Sequence, residues 1–348
     1  MAQIASGKFW VNNHAHILEA NELSNNWFLE AAINQSALSS FVSGSAIPKL
    51  SKLSLHKVPI PCPPKAVQDS VGGFLKLIAD RIANNRALAT NLESIVRAIF
   101  KSWFVDFDPV RAKMEGREPE GMDPEIAALF PDRLVESELG LVPEGWEWVP
   151  FSEMVNLDTS VAKPQAEPDS EFLHFSIPAF DESGMPERCS GRDIASNKYS
   201  VATEAVLVSK LNPSTWRCWR PIPKLKNLRA ICSTEFMQFR PKGVSREWLW
   251  ALCESDMMQR AVLATVSGTT GSRQRAKPAE VVKQSLLAPP PSIISAFTDV
   301  VSPLLDRADT AKLENPALKT LRDTLLPRLI SGRLLVANTE EVVAGLPA

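Results

Sequence analysis

Residues 66–107 read AVQDSVGGFLKLIADRIANNRALATNLESIVRAIFKSWFVDF, and this stretch decides how the chain folds. Its apolar side chains fall on alternating steps of three and four residues: Val71, Phe74, Ile78, Leu88, Leu92, Ile95 and Ile99. That spacing predicts one long helix with a continuous apolar face. A helix over residues 66–104 would extend for about 58 Å, more than the width of a small domain, so it requires a partner that covers its apolar face.

The chain contains a second stretch with the same spacing. A shift of 226 residues places six apolar positions on those of the first stretch: Phe297, Val300, Leu304, Leu318, Leu321 and Leu325. Proline pairs, Pro63-Pro64 and Pro289-Pro290, precede both stretches. We therefore predict two modules, each a domain that leads into a long helix, with the two helices packed antiparallel. Prolines in the second stretch predict a kink or break near Asn315-Pro316.

Length and composition are those of a globular protein. A chain of 348 residues, 45% of them apolar, is expected to form about two globular units. There is no apolar run of about 18 residues, and the N-terminal MAQIASGKFW lacks a signal-peptide pattern, so we expect a cytoplasmic protein. The five cysteines form no CxxC pair, which favours reduced thiols and no metal site.

Charge is unevenly distributed, although the net charge is only −2. Residues 205–234 contain six lysines and arginines and no acid, and residues 31–68 contain four lysines and no acid. Residues 115–138 instead contain eight acids. A polyanion such as nucleic acid is therefore expected to bind at particular places on the protein and not over its whole surface.

The remaining pattern is that of an α+β protein. Residues 7–20 alternate like a strand pair, a helix is expected from residue 25, and residues 115–125, EGREPEGMDPE, are typical of an acidic surface connector. After the connector, the sequence predicts strands over 206–209, 230–233 and 236–239 and a helix over 245–264.

Catalytic motifs are missing from the sequence. The single tyrosine, Tyr199, follows Asn197-Lys198 and does not form the Asp/Asn-Pro-Pro-Tyr loop of adenine methyltransferases. No lysine has an acid two positions before it, as metal-dependent nucleases usually do, and no phosphate-binding loop is present. His14 and His16 have no evident third ligand. We therefore expect no catalytic centre, no bound metal and no cofactor.

Four stretches carry a family resemblance: GKFWVNNHAHIL (7–18), IFKSWFVDFDPVRAKMEG (99–116), ESELGLVPEGWEW (136–148) and LRDTLLPRLISGRL (321–334). In these stretches the chain resembles the specificity subunit of type I restriction-modification enzymes. The resemblance implies two target recognition domains, each of which binds part of a split site on double-stranded DNA. It also implies two antiparallel helices that separate these domains and dock methyltransferase subunits and, through them, restriction subunits.

The resemblance also divides the chain. It implies a C-terminal remnant of the first recognition domain (1–65), a first spacer helix (66–108), an acidic connector (109–142), a second recognition domain (143–291), a second spacer helix (292–336) and a tail (337–348). Judged against the second, the first domain lacks roughly its leading eighty residues. A start at an internal Met, or a decayed or split gene, would account for this difference.

We predict that DNA contacts the basic run of the second domain and the loop SGTTGSRQRAK (267–277). The candidate residues are Arg217, Arg220, Lys224, Lys226, Arg273, Gln274, Arg275 and Lys277. Lysine and arginine neutralise phosphates, whereas arginine and glutamine form paired hydrogen bonds with guanine and adenine edges. The alternative is that some of these residues are structural, above all Arg217, which lies between two tryptophans.

The end of the first helix is a candidate docking surface for the methyltransferase. The candidate residues are Lys101, Trp103, Phe104 and Arg111, because aromatic residues and arginine often dominate interface energies. The alternative is that Trp103 only closes the helix bundle.

A function of a different class is also open: a decayed or split-gene fragment that acts only as a helical oligomerisation scaffold.

Overall fold

The computed structural model describes residues 2–12, 14–43, 49–222, 228–267 and 274–334. The chain forms two compact units. The first unit comprises Met1–Thr90 and Thr310–Ala348, and the second unit comprises Asn91–Asp309. Two long helices each contribute to both units, and their bounds are given below with those of the other elements.

Helices are numbered in chain order. They are α1 (Asn26–Gln35), α2 (Lys52–Leu55), α3 (Lys65–Lys101), α4 (Asp108–Met114), α5 (Pro124–Ala128), α6 (Ile177–Ser183), α7 (Arg246–Glu254), α8 (Asp256–Leu263), α9 (Pro278–Val281) and α10 (Pro291–Ile330). Among the described residues, no helix has a stretch apolar enough, over sufficient length, to cross a membrane. The two long helices α3 and α10 confirm the predicted pair of helices.

All strands of the described residues belong to the second unit. They are β1 (Leu134–Ser137), β2 (Gly140–Pro143), β3 (Glu147–Pro150), β4 (Val155–Asp158), β5 (Val161–Ala162), β6 (Glu171–Phe175), β7 (Glu187–Ser190), β8 (Lys198–Ser200), β9 (Val206–Ser209), β10 (Cys218–Trp219), β11 (Arg229–Cys232), β12 (Phe236–Pro241) and β13 (Ser285–Ala288). A four-stranded sheet has the order β10-β9-β12-β4, and a five-stranded sheet has the order β5-β8-β11-β6-β7. Neighbouring strands are antiparallel except β11 and β6, which are parallel. This mixture confirms the α+β class.

The first unit is built on helices. Asn25 caps α1 by accepting a hydrogen bond from the Phe28 backbone N–H, and it also donates to the Gln68 carbonyl oxygen at 2.9 Å. These bonds tie the start of α1 to the start of α3, and α1 packs its buried face on the two long helices. The shared apolar core contains Phe28, Ala31, Val71, Phe74, Leu75, Ile78, Leu318, Leu326 and Leu329.

The second unit surrounds the other ends of the same helices. Three aromatic rings at the end of α3 and just after it have centroids within 6 Å of the Phe297 ring in α10: those of Phe100, Trp103 and Phe104. In the core of the first unit, the beginning of α3 packs against the end of α10. In the core of the second unit, the end of α3 packs against the beginning of α10. This pairing of opposite ends is what an antiparallel arrangement requires.

The prediction for Asn315-Pro316 was a kink or a break, and the break was wrong, because α10 is helical from Pro291 to Ile330. The kink stays a prediction. A proline inside a helix removes one backbone hydrogen bond, but its fixed φ is close to the helical value. Ala311 and Leu318, on either side of Pro316, are buried and remain packed. Tertiary packing of the neighbouring turns therefore outweighs the lost hydrogen bond.

The predicted helix over residues 245–264 is divided into α7 and α8. Ser255 has an extended backbone, with φ −76° and ψ 152°, and its hydroxyl accepts a hydrogen bond from the Met258 N–H. Serine is a favourable N-cap, so one residue ends the first helix and begins the second. The strand pair expected over residues 7–20 was also wrong, since no strand occurs there in the residues that the structure describes.

Strand predictions within the second unit were more successful. The stretch predicted over 206–209 is β9, and the stretches predicted over 230–233 and 236–239 correspond to β11 and β12 within one or two residues. These segments are apolar and largely buried, which is why their pattern was visible in the sequence.

Candidate nucleic-acid interface

A tight turn follows the buried central strand β9. All four residues of β9 are buried, and the turn from Asn212 to Thr215 leads back towards β10. The Thr215 N–H donates to the Asn212 carbonyl oxygen at 2.9 Å, and Asn212 has a left-handed φ of 48°. Asparagine adopts this conformation more readily than most residues, so Asn212 favours the turn.

The described end of the 267–277 loop is bound to this turn. Ser267 and Arg275 exchange backbone hydrogen bonds of 3.1 and 3.2 Å, which close the base of the loop. The Asn212 N–H donates to the Gln274 carbonyl oxygen at 2.9 Å, and the Ala276 N–H donates to the Lys210 carbonyl oxygen at 2.9 Å. The structure thus brings together two regions that the sequence analysis treated as separate candidates.

Polar and charged side chains are available at this junction. The side-chain amide of Gln274 has no hydrogen-bond partner in the part of the chain that the structure describes, and Lys277 is exposed. The Arg275 Nη2 lies 3.0 Å from a carboxylate oxygen of Glu235. This hydrogen bond raises the pKa of Arg275, which stays charged in any case. The junction therefore offers an amide and two cations, the groups that contact bases and phosphates.

Arg217 lies in a structural ion pair. Its guanidinium donates from Nε and Nη2 to the two carboxylate oxygens of Asp181, at 2.6 and 2.8 Å. The hydrogen bond from Arg217 holds the pKa of Asp181 below its usual range. Because only 11% of the Arg217 side chain is exposed, the structural interpretation left open by the sequence is favoured for this residue.

Arg220 is buried deeply and is paired with Asp309 of α10. The nitrogen–oxygen distances are 2.9 and 2.6 Å, and the guanidinium lies over the ring of Trp250 at 5.6 Å. Arg246 lies nearby, and burial, followed by the charge of Arg220, lowers its pKa to about 10. A side chain in this position has no path to a DNA phosphate, so we leave Arg220 out of the candidate interface.

The other predicted DNA contacts, Lys224, Lys226 and Arg273, lie outside the described residues. The turn that supports the loop was not predicted from the sequence. Its tip exposes the hydroxyl-bearing side chains of Ser214 and Thr215. The Asn212-Pro213 dipeptide is a recognised turn signal and was the available clue.

The predicted docking residues divide into buried and exposed groups. Trp103 and Phe104 are only 7% and 4% exposed and belong to the aromatic core of the second unit. Lys101 and Arg111 are exposed, and both contact Asp106: Lys101 pairs with its carboxylate, and the Arg111 Nε donates to its backbone oxygen at 2.8 Å. A π-helical turn, Ser102–Asp106, places Val105 at the surface between them. Trp103 thus closes the bundle, which was the stated alternative.

Comparison with known families supports a relation to restriction systems. Residues 2–94 match the family described as the type I restriction modification DNA specificity domain. This match includes one of the four stretches that carry the resemblance, residues 7–18, and it extends through most of α3.

Individual relatives align over more of the chain. The type I restriction enzyme MjaIX specificity subunit of Methanocaldococcus jannaschii is 24% identical over 302 residues, 84% of this chain and 64% of that protein. The type I restriction enzyme HindI specificity subunit of Haemophilus influenzae is 24% identical over 331 residues, 82% of this chain and 71% of that protein. The chain therefore spans less than two thirds of the first relative.

Among solved structures, the chain is similar to the type-I restriction-modification system S subunit from M. genitalium. It is 13% identical to this chain and has a TM-score of 0.47. The alignment covers 89% of this chain and 74% of that structure.

Proposed function

We propose that the chain is a type I restriction-modification specificity subunit and that it selects the DNA sequence on which such a complex acts. The observation that carries this proposal is the match of residues 2–94 to the specificity-domain family. Alignment of more than four fifths of the chain with specificity subunits supports it. We also propose that the DNA site is split into two parts.

Within the second unit, we assign DNA contact to the junction of the 212–215 turn and the 267–277 loop. Backbone hydrogen bonds to Lys210 and Asn212 position the loop end without using its side chains. A positioned Gln274 amide has the donor and acceptor needed to read an adenine edge, and Lys277 supplies charge for a phosphate. Arg275 is expected to exchange its contact with Glu235 for one with DNA.

We assign methyltransferase docking to the exposed face around the π-helical turn. This face contains Lys101, Val105 and Arg111, with Asp106 holding the two basic side chains in place. An apolar side chain flanked by cations matches a partner surface that has an apolar patch and acidic groups. The buried Trp103 and Phe104 support this face from beneath but do not belong to it.

Catalysis is assigned to the partner subunits. The chain is proposed to have no endonuclease or methyl-transfer activity by itself, and to require neither cofactor nor metal for recognition. Methylation of DNA by the purified chain with S-adenosylmethionine, in the absence of any partner, would contradict this assignment.

The DNA assignment is tested by fluorescence anisotropy with duplex DNA and the chain in complex with a copurifying methyltransferase subunit. Lys277→Ala should weaken binding to all duplexes and reduce the salt slope by about one. Gln274→Ala should lower discrimination at one base pair by about 1–3 kcal/mol. Unchanged affinity, salt slope and discrimination in both variants would contradict the assignment.

A matched control is Lys242→Ala. Lys242 is exposed and follows β12, whose Phe236 pairs with Ser209 while Phe239 pairs with Val206. This register places Lys242 at the opposite end of the sheet from the junction, so the control should bind DNA as the wild type does.

The docking assignment is tested by copurification. Val105→Asp together with Arg111→Glu should reduce recovery of the methyltransferase subunit while near-UV circular dichroism stays unchanged. Lys76→Glu, an exposed lysine earlier in α3 that pairs with Asp80, is the control and should copurify normally. Full recovery with the double variant would show that the partner docks elsewhere.

A further inference from the structure

The β6–β7 hairpin of the second unit brings three potential metal ligands to one face. His174 pairs directly with Glu187, and Phe172 pairs with Cys189 two residues further along. Because side chains alternate along strands and paired residues point to the same side, His174, Glu187 and Cys189 share a face. One ligand atom from each of the three lies within 4.8 Å of the other two.

We propose that His174, Glu187 and Cys189 form a zinc-binding site. An imidazole nitrogen, a thiolate and a carboxylate oxygen are the protein ligands that Zn²⁺ takes. Bonds of about 2.0–2.3 Å in a tetrahedral shell place ligand atoms roughly 3.5 Å apart, so side-chain rotations are sufficient to close the site. Water would occupy the fourth position, since Glu187 is exposed.

The surroundings of the three side chains fit a bound cation. The Nε2 atom of His174 is buried and has no hydrogen-bond partner within the described ranges. Cys189 packs against the apolar cluster of Ala162, Phe172, Ile194 and Ile231, which excludes water from one side. Low local polarity strengthens the attraction between a cation and its anionic ligands.

Charge around the site is mostly negative. Besides Glu187, the carboxylates of Glu171 and Asp193 are close enough to act on the Cys189 thiol. Lys198 acts on His174 and opposes a cation, but its ammonium group is bound to the backbone oxygen and hydroxyl of Ser196. Three carboxylates outweigh this one ammonium group. Burial and the same carboxylates raise the pKa of the Cys189 thiol, so zinc would displace the thiol proton on binding.

Zinc at this position would fasten the outer strand of the five-stranded sheet. β7 is the last strand in the order β5-β8-β11-β6-β7, and within the described ranges it pairs with β6 alone. An ion held by one ligand from β6 and two from β7 would prevent β7 from separating. The site is not evident from sequence spacing, because only the register of the hairpin brings residues 174, 187 and 189 together.

Titration of the metal-stripped full chain with Zn²⁺ and Co²⁺ tests the proposal. We expect one Zn²⁺ per chain, a higher Tm with Zn²⁺, and thiolate-to-metal charge-transfer absorption with Co²⁺. Cys189→Ser and His174→Gln should each weaken Zn²⁺ binding by at least about tenfold. Cys189→Ser should also abolish the charge-transfer band.

The control is Cys62→Ser, which removes the exposed thiol of the first unit and should leave binding and Tm shift unchanged. Near-UV circular dichroism of the metal-free variants establishes that they are folded. Absence of Zn²⁺ binding by the wild type, or equal binding by folded Cys189→Ser, would overturn the proposal. Neither result bears on DNA selection, which is measured with DNA and not with metal.

Discussion

Two arginine–carboxylate pairs, one in each unit, attach to the same long helix α10 but have different surroundings. In the first unit, Arg81 of α3 contacts Glu314 at 2.9 and 3.1 Å. In the second unit, Arg220 contacts Asp309 at 2.9 and 2.6 Å. The side chains of the first pair are 42% and 18% exposed, whereas those of the second are 5% and 3% exposed.

Similar geometry therefore has different energetic consequences. Water screens the Arg81–Glu314 attraction and solvates either group when its partner is removed, so the pair contributes little. Arg220 and Asp309 have lost nearly all contact with water, and removal of either leaves a buried charge without compensation. The comparison shows that burial, more than the number of hydrogen bonds, determines how strongly each unit depends on its pair.

The largest effect is expected for Asp309→Ala in the second unit. This change leaves the Arg220 guanidinium buried without a carboxylate and should reduce the free energy of unfolding by about 3–5 kcal/mol. Urea denaturation followed by tryptophan fluorescence measures the loss, because Trp250 lies against Arg220. The double variant Arg220→Met/Asp309→Leu removes both charges and should recover most of the lost stability.

A loss below about 1 kcal/mol for Asp309→Ala would contradict the stronger dependence of the second unit on its buried pair, since exposed pairs contribute no more than that. A double variant as unstable as the single variant would show that the loss comes from packing and not from the unpaired charge.

An intermediate effect is expected for Asn85→Leu in the first unit. Asn85 is 4% exposed, and its amide donates to Glu314 at 2.9 Å and to the buried Asn315 at 3.2 Å. Leucine would leave the Asn315 side-chain oxygen without this donor, at a cost of about 1–3 kcal/mol. The free energy of unfolding of Asn85→Leu is measured by urea denaturation and compared with that of Leu88→Ala, three residues further along α3. This comparison separates the loss of the polar contact from a general change in α3.

Stabilisation by Asn85→Leu would contradict this prediction. It would mean that the polar contact between α3 and α10 reduces stability and serves another purpose, such as fixing the register of the two helices.

The smallest effect is expected for Glu314→Gln. Glutamine keeps an oxygen acceptor for Asn85 and Arg81 but removes the charge, so the loss should stay below about 1 kcal/mol. The loss should shrink further at 1 M NaCl, because salt screens partly exposed charges. A loss as large as that of Asp309→Ala, or one that does not depend on salt, would show that this pair is as isolated from water as the buried pair.

Sequence periodicity predicted the elements that are long or buried. The apolar steps from Val71 to Ile99 correspond to α3, and the run at 206–209 corresponds to β9. The uninterrupted course of α10 through Pro316 was not predictable, because the contacts that maintain it come from distant parts of the chain. Serine is a residue type that favours N-caps, but the helical spacing of the apolar residues continues on both sides of Ser255. One helix was therefore predicted where the structure has two.

The candidate site was less predictable than the fold. Arg217 and Arg220 belong to a run without acids, yet their partners, Asp181 and Asp309, come from distant parts of the chain. A basic stretch of sequence is therefore not the same as a basic surface. The contact between Gln274 and Asn212 likewise depends on folding, although the loop itself had been identified from its glycines and basic residues.

The most direct test of the proposed function is to map methylated positions in a DNA library treated with the methyltransferase complex and S-adenosylmethionine. The measurement is made with the chain, without it, and with the Gln274→Ala variant. We expect methylation confined to one recurring sequence when the wild-type chain is present, loss of that pattern without the chain, and relaxed preference at one position with the variant. The same methylated positions with and without the chain would contradict its role in selecting DNA.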